Sequence, residues 1–392
     1  MLKKRKSRDS FYPGEPWRSY CLFPVDMEPG NRADVLVDAA QAYPAMLTAI
    51  SGARRTILMD SYIFNNDKAG RMFQEALIQA AARGVETYLI VDAVGTLLVE
   101  EAFFNEMRRE GVHVLEYRSW VPWKRSFGFL RRNHRKMLVV DGSVGFVGGL
   151  NIGSEWLSAR EGGRDWHDIH IRVEGPAVRS LSRLAMSTWH GHAGIMLDPG
   201  RFLPDTPEVG SEYVCIIGSR EHKKRKAIRK SYLHAIRRAR KYIYIANAYF
   251  LPDRGFSRAF RNAVKRGVDV RVMVPREGDI FSVQMASRAL FGRLMRMGVR
   301  VLLWHNALLH AKTATIDGQW TSIGSYNIDR RSWSMNLEVN VNVMGPTVSN
   351  RLREVFQRDE EQCLALTPVS WKQRPLFVKL LEKFFYLFRK LM

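Results

Sequence analysis

Two long stretches of this 392-residue chain follow the same order of apolar and polar positions. Apolar residues cluster in 57-ILMDSYIF-64 and again in 243-IYIANAYF-250. Each cluster leads to apolar positions at helical spacing, an Arg-Gly-Val turn and a second apolar run, in 76-ALIQAAARGVETYLIVD-92 and 259-AFRNAVKRGVDVRVMVP-275. Short β-branched runs predict strands, and the 3.6-residue periodicity between them predicts amphipathic helices. Further strand-like runs stand at 111-GVHVLEY-117 and 298-GVRVLLW-304. Alternating segments that end in Gly-Pro stand at 168-DIHIRVEGPAV-178 and 338-EVNVNVMGPTV-348. The first copy carries six extra residues around 161-EGGRDW-166.

An internal repeat of this kind predicts an α/β protein of two pseudo-symmetric halves, each a mixed sheet flanked by helices. The expected divisions are a basic leader (1–33), a first half (34–200), a second half (205–365) and an amphipathic basic tail (366–392). The seam falls in 199-PGRFLPDTPEVG-210, rich in Pro, Gly and Asp. A basic run, 220-REHKKRKAIRK-230, reads as a solvated helix start.

The repeat centres on 134-HRKMLVVDG-142 and 310-HAKTATIDG-318, which lie 176 residues apart and match without a gap for 19 residues. His134 and His310, Lys136 and Lys312, Asp141 and Asp317, and Asn151 and Asn327 stand at equal offsets, whereas Gly149 pairs with Ser325. Residues i and i+2 of a strand face the same way, so each His projects beside its Lys. If the halves pack about a pseudo-twofold axis, one shared site holds two His, two Lys and two Asn. That set suits a phosphodiester. Lysine and asparagine bind the non-bridging oxygens, one His attacks phosphorus, and the other protonates the leaving oxygen. A buried carboxylate fixes the tautomer of such an imidazole, and Asp168 and Glu338 occupy equivalent repeat positions. A metal centre is not expected, because His-x-Lys sets a cation two residues from the supposed ligand.

Charge adds the partner class. There are 61 Lys+Arg against 39 Asp+Glu, a net +22, which attracts anionic lipid headgroups or nucleic acid. The composition, 46% hydrophobic and 26% charged, is that of a globular chain. Three scattered cysteines, Cys21, Cys215 and Cys363, exclude a disulfide framework and fit a reducing compartment. No apolar run reaches the roughly 18 residues of a membrane span, and no apolar core follows the basic start. Two segments could meet a bilayer. In 375-PLFVKLLEKFFYLFRKLM-392, Phe377, Leu380, Leu381, Phe384, Phe388 and Leu391 recur at helical spacing among Lys379, Lys383, Arg389 and Lys390. This reads as an interfacial helix or as a terminal helix packed on the core. In 117-YRSWVPWKRSFGFLRRN-133, Trp120, Trp123, Phe127 and Phe129 alternate with Lys124, Arg125, Arg131 and Arg132. That pattern suits a rim among anionic headgroups, a stacking surface for single-stranded nucleic acid, or a plain surface loop.

Two HxKxxxxD motifs, each followed by Gly-Gly/Ser-x-Asn, resemble the phospholipase D superfamily over about residues 34–360. The stretches SYIFNNDKAG, NHRKMLVVDGSVGFVGGLNIGSEW and DWHDIHIRVEGPAV resemble bacterial cardiolipin synthases of that type, in a short form without membrane-spanning helices. The resemblance implies phosphatidyl transfer to the hydroxyl of phosphatidylglycerol or a related acceptor, through a histidine intermediate and with no cofactor or metal. It implies His134, Lys136, Asp141, His310, Lys312 and Asp317 as the catalytic set, with His134 as nucleophile and His310 as acid/base. Gly149, Ser325, Asn151, Asn327, Asp168 and Glu338 would support them, with Glu338 orienting His134 and Asp168 orienting His310. Asp60, where the family often has Glu, receives no role. The implied partners are phospholipids and an anionic membrane surface, met from the cytoplasmic side, and not nucleic acid. Hydrolysis of phospholipid to phosphatidate uses the same residues, and a nuclease of the superfamily is the remaining alternative.

Overall fold

The computed structural model describes residues 12, 14–119, 131–219 and 226–389. The first half runs β1 (Glu28–Val37), α1 (Asp38–Ser51), β2 (Thr56–Ser61), α2 (Lys68–Ala82), β3 (Glu86–Asp92), α3 (Glu101–Arg109), β4 (His113–Tyr117), β5 (Met137–Val140), β6 (Val144–Gly148), β7 (Ile169–Glu174), α4 (Val178–Ala193) and α5 (Pro199–Phe202). The second repeats the order: β8 (Glu212–Gly218), α6 (Ala227–Arg238), β9 (Tyr242–Asn247), α7 (Arg254–Lys265), β10 (Asp269–Pro275), α8 (Phe281–Arg296), β11 (Arg300–Trp304), β12 (Lys312–Ile316), β13 (Trp320–Gly324), α9 (Arg330–Ser334), β14 (Val339–Met344) and α10 (Pro346–Glu360). β15 (Cys363–Ala365), α11 (Pro368–Lys372) and α12 (Leu376–Leu387) complete the chain.

Within each half the strands carrying the alternating pattern pair as expected. β2, β3 and β4 are parallel, and β5, β6 and β7 add on antiparallel. β9, β10 and β11 repeat the parallel set, and β12, β13 and β14 the antiparallel one. The two sheets do not stay separate. β1 pairs with β7 on one side and with β8 on the other, so fifteen strands run as one sheet in the order β15-β11-β10-β9-β12-β13-β14-β8-β1-β7-β6-β5-β2-β3-β4.

This pairing corrects the expected division at 33/34, which falls inside β1. The polar segment 28-EPGNRADVLV-37 gains its order from the strands on both sides of it. Trp17, Tyr20, Cys21 and Met27 are buried in the second-half core, so residues 16–33 belong to the fold and not to a leader. Three apolar clusters fill the layers. One lies under α1, α2 and α3, and one under α6, α7 and α8. The third is shared, joining α4 and α10 to strands of both halves. Burial of this last layer against both sheets fixes the halves relative to each other.

The tail packs on the core along one face, as the second of its sequence readings has it. α12 packs on α8, where its Glu382 is buried between Arg288 (3.0 Å) and Arg374 (2.9 Å), while α11 sinks Trp371 into the core. The opposite face of α12 leaves Leu376, Phe377, Leu380, Phe384, Leu387 and Phe388 exposed. Lys390 and Leu391 lie outside the described residues, as do residues 120–130 with Trp120, Trp123, Phe127 and Phe129, and residues 220–225 of the basic run. No helix among the described residues is long and apolar enough to cross a membrane.

A second tie between halves is His167. Its Nδ1 meets Asp38 at 2.7 Å and its Nε2 meets Asp359 of α10 at 2.9 Å. Two carboxylates on two ring nitrogens demand an imidazolium. Burial opposes that charge, but the hydrogen bonds to Asp359 and Asp38 outweigh it and raise the pKa to about 10. A pKa raised above the unfolded value of about 6.5 stabilises fully below that pH and is lost as pH climbs through about 10. The Tm gap between the wild type and His167→Gln should therefore narrow steadily between about pH 6.5 and about pH 10. A gap that stays constant in calorimetric scans would show that His167 carries no such charge.

Candidate active site

His134 precedes β5 and His310 precedes β12, and both are held by the opposite half. The His134 N–H donates to Leu337 O at 3.0 Å, and the His310 N–H donates to His167 O at 2.7 Å. The exchange continues in the side chains. His134 Nδ1 lies 3.1 Å from both oxygens of Glu338, and His310 Nδ1 lies 2.7 Å from Asp168 Oδ2. A carboxylate only accepts, so each Nδ1 is the donor and each Nε2 is left with a free lone pair.

Both histidines line one cavity of about 580 Å³, whose wall also includes Asn151, Asn327, Tyr62 and Tyr249. Lys136 and Lys312 are fully buried beside them, each donating Nζ–H to the carbonyl of its own histidine. Lys136 also faces the Tyr62 ring, 5.0 Å from its centroid. Asn151 accepts the Ile63 N–H at 3.1 Å, which leaves its amide NH₂ for the cavity. Burial is the main electrostatic cause throughout. It lowers His134 to about 4 against the pull of Glu338, and it lowers Lys312 to about 8. It also takes His310 and Lys136 well below their ordinary values, with Lys312 adding to the effect on both, and it raises Asp168. Burial thus favours the uncharged imidazoles and works against the charge on both lysines, and a bound anion would offset that cost. Among the described residues no three His, Cys, Asp or Glu side chains converge at metal-ligand spacing.

Asp141 and Asp317 stand apart from this cavity, contrary to the catalytic role expected for them. Each opens the turn between the two hairpin strands with φ of 51° and 57°, followed by Gly142 and Gly318, also at positive φ. An Asp-Gly pair suits such a turn. The Asp141 carboxylate accepts the N–H groups of Arg54, Arg55 and Thr56, and that of Asp317 accepts those of Arg240, Lys241 and Tyr242. Each aspartate therefore pins the start of the neighbouring strand, at the strand end opposite the histidines.

The pairing of Gly149 with Ser325 also has a geometric cause. Ser325 Oγ donates to Glu338 at 2.5 Å. At Gly149 a Cβ would stand 2.1 Å from the Asp168 carboxylate. Asp168 takes its extra donor from Trp156 Nε1 instead, at 3.3 Å.

A family model described as "Cardiolipin synthase, PLD-like domain" matches residues 46–162 and 232–360. The chain belongs to the phospholipase D-like cardiolipin synthase family. The cardiolipin synthase of Listeria monocytogenes serotype 4a is 32% identical over 357 residues, 90% of this chain and 73% of that protein. The major cardiolipin synthase ClsA of Bacillus subtilis is 33% identical over 358 residues, again 90% and 73%. A phosphatidylserine synthase from Haemophilus influenzae shares the fold, with TM-score 0.70 at 13% identity over 92% of this chain and 95% of that one.

Several site residues of this family member escape a reading of the repeat. Trp166, inside the six-residue insertion, packs on the His310 ring at 5.9 Å and lines the cavity. Asp92 and Asp60 lock the residues on either side of His134. Asp92 accepts the Asn133 N–H at 2.7 Å and pairs with Arg132. Asp60 lies 3.1 Å from Asn133 Nδ2 and 3.6 Å from Arg135. Asp60 thus has a positioning role that the sequence did not disclose, and Arg132 is a buried partner of Asp92 and not a rim cation.

If the carboxylates set tautomer and aim, Glu338→Gln and Asp168→Asn should each lower kcat by roughly 10²- to 10⁴-fold while the protein stays folded. The measurement is turnover of a water-soluble phosphodiester alongside circular dichroism. A loss below about threefold in either variant would remove the orienting role.

Proposed function

We propose that the chain is a phospholipase D-type phosphatidyltransferase that moves a phosphatidyl group from a phospholipid to the hydroxyl of phosphatidylglycerol or a related acceptor. One observation carries the reading: two histidines, each bonded through Nδ1 to a carboxylate of the other half, share a cavity with two buried lysines. The family membership supports the same reaction.

In the first step His134 Nε2 attacks the donor phosphorus. The bond from phosphorus to the headgroup oxygen breaks, and His310 gives that oxygen its proton. A phosphatidyl-histidine remains. His310, now neutral, takes the proton of the acceptor hydroxyl, the acceptor oxygen attacks phosphorus, and the P–N bond breaks to free His134. Lys136 and Lys312 stabilise the equatorial oxygens in both steps. The negative phosphodiester offsets the push of the lysines on His310 and so favours the proton that step one needs.

A lipid substrate is supported by the mouth of the cavity. Leu97 and Leu98 follow β3, and Ile280 and Phe281 follow β10, at the same 183-residue offset. All four are exposed, Leu98 to 97% and Phe281 to 55%. Val94 and Gly95 on one side, and Ile280 on the other, also line the cavity. Phe281 meets Phe385 of α12 at 5.6 Å, on the side of that helix that packs against the core. We take this surface as the one that rests on an anionic membrane from the cytoplasmic side.

The deciding experiment is lipid mass spectrometry after expression in a host lacking cardiolipin. Cardiolipin should appear with the wild type and vanish equally in His134→Ala, His310→Ala and the double variant, since the pair acts as a unit. Phosphatidate in its place would mark a hydrolase, and more than about a tenth of the activity in either single variant would break the two-histidine scheme. A separate test concerns the rim: Leu98→Ser with Phe281→Ser should cut turnover of vesicle substrate by about tenfold or more, while a short-chain soluble phosphodiester is turned over as before. Equal loss on both substrates would make the rim part of the catalytic fold.

A further inference from the structure

Two carboxylates in the catalytic cavity take no part in the two-step scheme. Among the described residues Asp279 and Asp329 are the only acids in its wall, and both come from the second half. Asp329 follows Ile328 where Gly153 follows Ile152, and Asp279 precedes Ile280 where Thr96 precedes Leu97. Neither therefore has an acid at its repeat equivalent. Asp329 is buried and caps α9, with Oδ1 accepting the Ser332 N–H at 2.7 Å. Asp279 Oδ2 accepts the Tyr249 hydroxyl at 2.6 Å. A carboxylate offers about four lone-pair sites, so each of these bonds leaves acceptor capacity over. Burial raises Asp329 to about 7 in spite of the bond from Ser332, the mark of a carboxylate short of donors.

Acids in a cavity that receives an anion need another partner, because each of them repels the phosphodiester. Their place narrows the choice. Against the dominant effect of burial, both carboxylates pull the Lys312 pKa upward, and Asp279 does the same for His310. Both also add to the effect of burial on Tyr249. They therefore lie on the side of the proton carrier, where the headgroup alcohol leaves in the first step and the acceptor hydroxyl enters in the second. With phosphatidylglycerol in both roles, both groups are glycerol, and one subsite serves twice. A carboxylate accepts from hydroxyls, and it would also take an ammonium headgroup. Lys312, buried beside His310, and Arg331, which faces the same cavity and acts on Asp329, oppose a further cation. A diol meets no such opposition.

We infer that Asp279 and Asp329 form a subsite on the His310 side of the cavity, which accepts hydrogen bonds from the hydroxyls of a glycerol headgroup and so selects a diol over a simple alcohol. The inference rests on the transfer reading of the function. Its test is a competition. Short-chain phosphatidylglycerol is the donor, and deuterated glycerol and 1-propanol at equal concentration compete for the phosphatidyl-histidine. Both alcohols meet the same intermediate, so the ratio of the two products, read by mass spectrometry, does not depend on the first step or on the fraction of active enzyme. The wild type should favour glycerol by about tenfold or more, and Asp279→Ala with Asp329→Ala should bring the ratio below about threefold. A purely structural defect would lower both products together. Should that variant fail to fold, Asp279→Ala with Asp329→Ser keeps a capping oxygen on α9 and should lose the preference alike. The proposal falls if the wild type takes the two alcohols equally, if the variant keeps the wild-type ratio, or if ethanolamine in place of propanol outcompetes glycerol. If phosphatidate is the only product, the transfer reading fails, and the subsite is read on the leaving group instead. The kcat/KM for short-chain phosphatidylglycerol should then exceed that for short-chain phosphatidylpropanol by about tenfold in the wild type and by less than about threefold in the variant. Equal ratios in the two proteins would overturn the subsite.

Discussion

Everything at the centre of this molecule follows from placing imidazoles and ammonium groups where water does not reach. A buried cation is costly unless a carboxylate or another acceptor lies within reach. The chain meets that demand by exchange: Glu338 of the second half serves His134 of the first, and Asp168 of the first serves His310 of the second. The backbone makes the same trade, from His134 to Leu337 and from His310 to His167. The halves must therefore stay in register to within a hydrogen bond. The sheet continuous through β1 and β8, the shared α4–α10 layer and the doubly bonded His167 all serve that register.

The consequence for chemistry is preorganisation. With Nδ1 fixed, Nε2 is aimed before substrate arrives. Each lysine is held by the carbonyl of its own histidine, so charge and imidazole keep one geometry. Beyond the cavity, the pairs Leu97–Leu98 and Ile280–Phe281 and the stripe of α12 stand exposed. A buried glutamate with exposed leucines and phenylalanines inverts the usual helix in water, and such an inversion suits a helix with a second apolar neighbour.

Much of this was legible in the sequence, because polar residues repeated at fixed offsets in strands have no packing reason to recur. The two-half fold, the paired His and Lys, and the positions of Asp168 and Glu338 all follow from that repetition. The failures have separate physical causes. Asp141 and Asp317 recur as faithfully as the histidines, but Asp-Gly after a strand is also a turn signal, and their carboxylates hold backbone N–H groups. β1 carries a mostly polar sequence and owes its order to neighbours distant in the chain. Trp166 sits in an insertion with no counterpart to compare.

Carboxylate exchange also bears on symmetry. A chain half this long would lack the partner for its own histidine, so it could work only by pairing with a second copy of itself, along the edge that β1 and β8 now form. Two identical copies must carry identical sites. Joining them in one polypeptide lifts that restriction, and here the lifted restriction is visible. One imidazole leans on an aspartate braced by Trp156 where glycine is obligatory, and the other on a glutamate braced by Ser325. A single chain thus lets the two histidines be chemically unequal, which a reaction that needs one nucleophile and one proton carrier can exploit and a symmetric dimer cannot build into its sequence.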